Sequence, residues 1–114
     1  WAFATAGVDA PRLFAAIADA ARPRLGEFNP QNLTNTAWAF ATAGVDAPRL
    51  FSAIANRARR RLRDFNPQNL ANTAWAFATA GVDAPRLFSA IANRARRRLR
   101  DFNPQNLANT AWAF

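Results

Sequence analysis

Two hydrophobic patterns alternate along the chain, and both have the period of an α-helix. From Pro30 to Gly44 the apolar positions share one broad side, and small neutral residues, mostly polar, occupy the rest. From Pro48 to about Arg63 the pattern is amphipathic, with Leu, Phe, Ile and Ala on one face and Arg, Ser and Asn on the other. The patterns predict a neutral helix followed by a basic one, which suggests an inner and an outer layer.

Residues with strong preferences for helix ends delimit both predicted helices. Asn29 is placed to cap the first helix, with Pro30 in its first turn, where the missing N–H costs nothing. Gly44 is suited to the left-handed conformation that ends a helix. Asp46 or Ala47 then starts the second helix. The unit is therefore predicted to be helix–turn–helix.

The unit recurs every 37 residues, so the fold is predicted as a stacked array. Its blocks are 1–37, 38–74 and 75–111, with a partial fourth at 112–114, and the second and third are identical. Such a period predicts an all-α solenoid of about three helix–turn–helix units, forming one array over 1–114. The chain starts inside a unit and without Met. We therefore expect a fragment of a longer array, whose uncapped ends associate end to end.

Composition argues against catalysis, metal binding and membrane insertion. The chain has no Cys and no His, which removes the commonest metal ligands and general bases. It has no run of 18 apolar residues, so no membrane span is expected. Asp9, Asp46 and Asp83 are 37 residues apart and are interpreted as helix caps. We therefore expect a protein that is not an enzyme and has no metal or cofactor.

The positive charge belongs to the later blocks. Residues 1–37 carry three Arg and three acidic residues, whereas 38–74 and 75–111 each carry six Arg against two Asp. The formal charge of +8 therefore lies entirely within 38–111. A repeated basic stripe favours a polyanionic partner such as nucleic acid.

Arginines of the second helix are the candidate phosphate contacts. Arg61 falls on the apolar side of its helix, so it must reach past that side, bond to helix-end carbonyls, or point into the groove between units. The alternative for the whole set is a solvated face that keeps the array soluble. The candidates are Arg57, Arg60, Arg61, Arg94, Arg97 and Arg98.

Amides and hydroxyls of the first helix are the candidate base contacts, because such groups can hydrogen-bond to the edges of unpaired bases. The alternative is an asparagine ladder that joins one unit to the next. The tryptophans that begin each block are predicted to be core, since each ring would bury a large area between units. The base-contact candidates are Asn32, Asn35, Thr36, Asn69, Asn72, Thr73 and Asn106.

The segment Pro30–Gly44 resembles the Pro-Gln-x-Leu-Ala-Asn-x-x-Trp-Ala-x-Ala-x-x-Gly core of the octotricopeptide repeats. The copies at 67–81 and, truncated, at 104–114 resemble it too. The period is closer to that of the related heptatricopeptide repeats. This resemblance implies an α-solenoid that binds single-stranded RNA, with organellar transcripts as the typical targets.

The sequence is compatible with two functions. The first is a non-catalytic RNA-binding array that contacts single-stranded RNA through Arg–phosphate and Asn/Thr–base contacts. The second is a protein–protein scaffold of the HEAT or armadillo type. The arginines outnumber their acidic neighbours, which favours RNA.

Overall fold

The computed structural model describes residues 10–114, and the expectations for Trp1 and Asp9 lie outside them. The described part is all-α, as predicted, with six α-helices and no strand. Short 3-10 segments at 22–27, 62–64 and 99–101 follow every second helix. The helices are α1 (Ala10–Ala21), α2 (Pro30–Ala43), α3 (Pro48–Arg61), α4 (Pro67–Ala80), α5 (Pro85–Arg98) and α6 (Pro104–Ala113).

Three asparagine caps start α2, α4 and α6, as the sequence predicts. In α4 the Asn66 side chain accepts the N–H of Asn69 at 2.7 Å, and the Asn69 side chain accepts the N–H of Asn66 at 3.1 Å. The same reciprocal pair begins α2 and α6. Each pair satisfies two backbone donors that a helix start would otherwise leave unpaired.

Left-handed glycines end α2 and α4, also as predicted. Gly44 has φ 70° and Gly81 has φ 69°, and both donate their N–H back to the helix. In contrast, the prediction that Asp46 and Asp83 act as caps is wrong. The cap positions of α3 and α5 are Ala47 and Ala84, which have no side-chain acceptor and make no capping bond.

The helices form two layers. We call α2, α4 and α6, which pack side by side, the tryptophan layer, and α1, α3 and α5 the arginine layer. Phenylalanine pairs join the layers edge to face, with ring centroids 4.9 Å apart for Phe14–Phe40 and 5.1 Å for Phe51–Phe77. Around them lies a continuous apolar core that includes Leu33, Leu50, Ile54, Leu70, Leu87 and Ile91. The described molecule measures 42 × 27 × 22 Å.

Candidate nucleic-acid interface

Four of the six candidate phosphate arginines donate to backbone carbonyls of the preceding linker. We use the word linker for the segments that follow α1 (22–29) and α3 (62–66), and for the equivalent segment after α5. Arg61 donates to the carbonyl of Phe28 at 3.1 Å, and Arg98 donates to that of Phe65 at 2.9 Å. Of the three options considered for the Arg61 side chain, the structure has a bond to a carbonyl at the end of a helical segment. The sequence left open which of the three options Arg61 takes, because a helical wheel gives the direction of a side chain but not its partner.

Arg57 and Arg94 make equivalent contacts one turn earlier. Arg57 donates to the carbonyl of Gly26 at 3.1 Å, and Arg94 donates to that of Arg63 at 3.4 Å. Their Nε atoms are buried and have no hydrogen-bond partner. A ligand cannot reach a buried Nε, so only the outer nitrogens of these side chains can meet a phosphate.

Carboxylates also pair with two of these four arginines, Arg61 and Arg98. Arg61 lies 3.2 Å from Asp64, and Arg98 lies 3.6 Å from Asp101. The equivalent pair in the first unit is Arg24–Glu27 at 2.8 Å, and the hydrogen bond from Arg24 lowers the pKa of the Glu27 carboxyl. Every carboxylate at these linkers is therefore paired with an arginine, while some other arginines there have no carboxylate partner within residues 10–114.

The unpaired arginines line a groove between the C-terminal half of α3 and the face of α5. This basic groove has a volume of about 340 Å³. Among the described residues, no carboxylate pairs with Arg59, Arg60, Arg63 or Arg97. Sequence reasoning placed Arg59 and Arg63 on the polar face but did not select them. The groove is lined by Arg59, Arg60, Leu62, Arg63, Ala90, Asn93, Arg94 and Arg97.

The first unit lacks the residues for an equivalent groove between α1 and α3. Its counterparts to Arg60 and Arg63 are Pro23 and Gly26. Its counterpart to Arg59 is Arg22, which lies 3.4 Å from Asp19. Because the excess positive charge lies in the later blocks, the basic groove lies between α3 and α5 and, among the described residues, has no equivalent between α1 and α3.

A row of indole rings crosses the tryptophan layer. The ring centroids of Trp38 and Trp75 are 6.0 Å apart at 28°, and those of Trp75 and Trp112 are 6.2 Å apart at 34°. Trp38 and Trp75 pack against the core yet stay partly exposed, while Trp112 is 62% exposed. The prediction that the tryptophans are core therefore holds for one side of Trp38 and one side of Trp75.

A second groove runs beside this row, and its lining carries no charge. This neutral groove has a volume of about 400 Å³. The sequence singled out Asn72 and Asn106 of this lining but not Gln68 or Gln105, because glutamine in a first helical turn is common on any solvated face. The lining residues are Trp38, Gln68, Asn72, Trp75, Asn103, Gln105, Asn106 and Asn109.

Several candidate base contacts are already engaged within the protein. Thr73 is 1% exposed, and its hydroxyl lies 3.0 Å from that of Thr34. Thr36 donates to the carbonyl of Asn32 at 2.7 Å. Asn35 is exposed and accepts from Gln31 at 2.8 Å. The structure therefore removes Thr73 from the accessible surface.

The three asparagines at the third helical positions serve the caps. Asn69 and Asn106 are 4% and 6% exposed, whereas Asn32 is exposed. Asn69 also donates to the side chain of Gln31 at 3.3 Å, which links α4 to α2. That bond matches the inter-unit ladder that was the alternative to base contact. The remaining candidate, Asn72, lines the neutral groove.

Both grooves lie near one edge of the molecule. Residues 62–66 connect the C-terminus of α3 to the N-terminus of α4. Arg60 and Arg63 lie just before this connection or within it, and Gln68 and Asn72 lie in the first two turns after it. The segment 62–66 therefore joins residues that line the basic groove to residues that line the neutral groove.

Two further features bear on the kind of site. No helix within 10–114 has the length and apolar character needed to cross a membrane. In the same residues, no cluster of carboxylates could hold a metal ion.

The whole chain has a family assignment. Residues 1–114 match the family model described as RNA-editing substrate-binding complex 6 protein, and the chain belongs to this family. No curated protein sequence matches the chain. The octotricopeptide resemblance stays a prediction.

Proposed function

We propose that this chain is a non-catalytic helical-repeat module that binds single-stranded RNA. The observation that carries the proposal is the basic groove, in which Arg59, Arg60, Arg63 and Arg97 have no carboxylate partner within the described residues. The family name refers to a substrate-binding complex of RNA editing, which agrees with an RNA ligand. Unpaired guanidiniums in a groove suit phosphate, because each presents a planar fork of donors.

The binding is electrostatic in origin. Each phosphate that an arginine neutralises releases condensed counterions, so affinity falls as salt rises. For single strands the slope of log K against log salt is about −0.7 per contact. Arg61 and Arg98 can add contacts from the same edge, since their side chains are 28% and 27% exposed.

The same proposal includes a solenoid architecture. Side-by-side packing within each layer, together with recurring caps at Asn29, Asn66 and Asn103, supports a stacked array. Blocks 38–74 and 75–111 are identical in sequence, so they would offer the same groups to successive parts of the ligand. We therefore expect an array with little ability to discriminate one base from the next.

We assign the module no catalytic step. The carboxylates at the linkers pair with Arg24, Arg61 and Arg98, and the chain has neither His nor Cys to serve as base or nucleophile. An array that holds RNA by phosphate contacts needs no such group.

The test compares two double variants with the same loss of charge. R60Q/R97Q removes two guanidiniums from the basic groove, and R49Q/R86Q removes two exposed ones from the N-terminal ends of the same helices. Affinity for a labelled single-stranded homopolymeric RNA is measured by fluorescence anisotropy at several salt concentrations. We expect the groove variant to flatten the salt slope by roughly 1 to 1.5, and the control to leave it nearly unchanged.

Two results would contradict the proposal. Equal effects of the two variants would mean that net charge, not the groove, binds RNA. Failure of the unmodified chain to bind any of the four homopolymers at low salt would rule out RNA binding and favour the protein scaffold.

We further propose that copies of the chain associate end to end. The α6 face exposes Leu107, Trp112 and Phe114 at 44%, 62% and 57%. Their counterparts Leu70 and Phe77 are 0% exposed because neighbouring helices cover them. A second copy would cover the α6 face with an interface of the kind that already joins helices within the chain.

A further inference from the structure

We propose that the neutral groove on the tryptophan layer is a nucleobase site, in which Gln68, Asn72 and Asn109 hydrogen-bond to the edge of an unpaired base that contacts Trp75. This inference rests on the RNA-binding function proposed above and adds a second, chemically different surface to it. The basic groove would hold phosphates, and the neutral groove would hold a base of the same strand.

The amides of the neutral groove are available for a ligand. Within residues 10–114, the side chains of Gln68, Asn72, Gln105 and Asn109 make no hydrogen bond to the protein. A primary amide carries both donors and an acceptor, which is the combination that base edges present in return. In α2, by contrast, the counterparts Gln31 and Asn35 bond to each other at 2.8 Å.

The electrostatics of the groove favour a base over a phosphate. Its eight lining side chains are amides and indoles, and none is charged. A phosphate that entered would lose water without gaining an ionic partner. A base is uncharged and has an apolar face, so it loses less. The volume of about 400 Å³ lies within the range of pockets that hold small-molecule groups.

The ring geometry decides how the base would meet Trp75. Trp38 and Trp112 lie against opposite sides of Trp75, with centroids 6.0 and 6.2 Å away. Stacked bases repeat at about 3.4 Å, so a base between two rings would need about twice that distance between their centroids. The observed spacings are smaller, so a base cannot insert between the rings. The base would therefore contact the part of Trp75 that lines the groove, in the T-shaped arrangement that aromatic pairs favour.

Tryptophan fluorescence can report on ligand binding in the neutral groove, because Trp38 and Trp75 line it. The chain has four Trp and no Tyr, so its intrinsic fluorescence under selective excitation reports on tryptophan alone. Two polyanions are compared: single-stranded oligouridylate, which carries bases, and inorganic polyphosphate, which does not. We expect both to bind with salt-sensitive affinity, and only oligouridylate to quench the tryptophan fluorescence.

Two matched variants test whether the quenching by oligouridylate arises from binding in the neutral groove. N72A removes an amide from the neutral groove, and N56A removes an exposed amide from α3 in the other layer. We expect N72A to weaken oligouridylate binding about threefold to tenfold and to reduce the quenching, because it deletes a hydrogen bond to the base. Polyphosphate affinity should be the same in both variants. Far-ultraviolet circular dichroism checks that each variant folds.

The outcomes separate this inference from the function on which it rests. If oligouridylate binds without quenching and N72A matches N56A, the base site is wrong and phosphate binding stands. If N72A weakens polyphosphate as much as oligouridylate, the groove binds backbone and the base assignment is also wrong. If oligouridylate does not bind at all, both proposals fail.

Discussion

The hydroxyl of Thr73 has a different hydrogen-bond partner from those of the equivalent residues Thr36 and Thr110. Thr36 and Thr110 donate to the carbonyl four residues earlier, each at 2.7 Å. Thr73 instead meets the hydroxyl of Thr34 at 3.0 Å, across the contact between α2 and α4. The later blocks have Ala71 and Ala108 in place of Thr34, so the partner exists at one junction only.

We expect Thr34→Ala to cost less than about 1 kcal/mol of unfolding free energy, measured in urea. A buried hydroxyl left without a partner costs about 1–3 kcal/mol. We expect Thr73 in the variant to avoid that penalty by donating to the carbonyl of Asn69, four residues earlier, as Thr36 and Thr110 donate to the carbonyls of Asn32 and Asn106. T34V, which keeps the volume of the side chain, is the control for the small cavity. A loss above about 2 kcal/mol in both variants would show that Thr73 cannot turn.

Residue-level features differ in how far the sequence reveals them. The caps at Asn29, Asn66 and Asn103 were predictable, because a cap depends on neighbours within one helical turn. The bond between Thr34 and Thr73 spans 39 residues, and that between Arg57 and Gly26 spans 31. Such contacts depend on how helices pack, and no local pattern specifies them.

At the scale of the elements, glycine placement explains how α2 and α4 end. Gly81 has φ 69°, whereas Gly26 in the first linker has no positive φ. A Cβ added at either position would meet nothing within 4 Å, so steric contact does not distinguish them. The two sites therefore isolate the cost of backbone conformation.

We expect Gly81→Ala to lower the unfolding free energy by roughly 1–2 kcal/mol, the cost of an L-residue in the left-handed region. Gly26→Ala should be neutral or stabilising by about 0.4–1 kcal/mol, because it restricts only the unfolded chain. Denaturant unfolding of both variants measures the difference. Equal effects of the two changes would contradict the role of the left-handed glycine.

Element boundaries were predicted less well than element identity. Both helices of the unit were expected from their periods and are present, but α3 ends at Arg61 and continues as a 3-10 turn through Asp64. The tighter turn accompanies the contact of Arg61 with both Asp64 and the preceding linker. The hydrophobic period carries no information about that tertiary contact. The sequence therefore predicted that the α-helix extends to about Arg63, beyond its end at Arg61.

Across the whole molecule, the two layers divide the chemistry of the candidate interface. The separate wheels predicted one neutral and one basic surface, and the described residues have a neutral groove on one layer and a basic groove on the other. The sequence did not indicate which arginines bind linkers and which stay unpaired. That division depends on the neighbouring unit, since Arg57 and Arg61 bond to residues of the first linker.

Apolar side chains are exposed at both ends of the described molecule. At the α1 end Ile17 is 40% exposed, although its counterparts Ile54 and Ile91 are 0% exposed. At the other end α6 exposes Leu107 and Trp112. Head-to-tail contact would bring the basic last block against the neutral first block, so charge repulsion is small. Such a contact does not close on itself and can add further copies.

We expect the sedimentation coefficient of the chain to rise with protein concentration, and Leu107→Glu to abolish that rise by placing a charge in the apolar contact. Ser52→Glu, an equal change of charge at an exposed position in the middle of the molecule, should leave association intact. Added salt should affect association far less than it affects RNA binding, because apolar burial drives the first and counterion release the second. A chain that stays monomeric at millimolar concentration would show that the exposed α6 face does not self-associate.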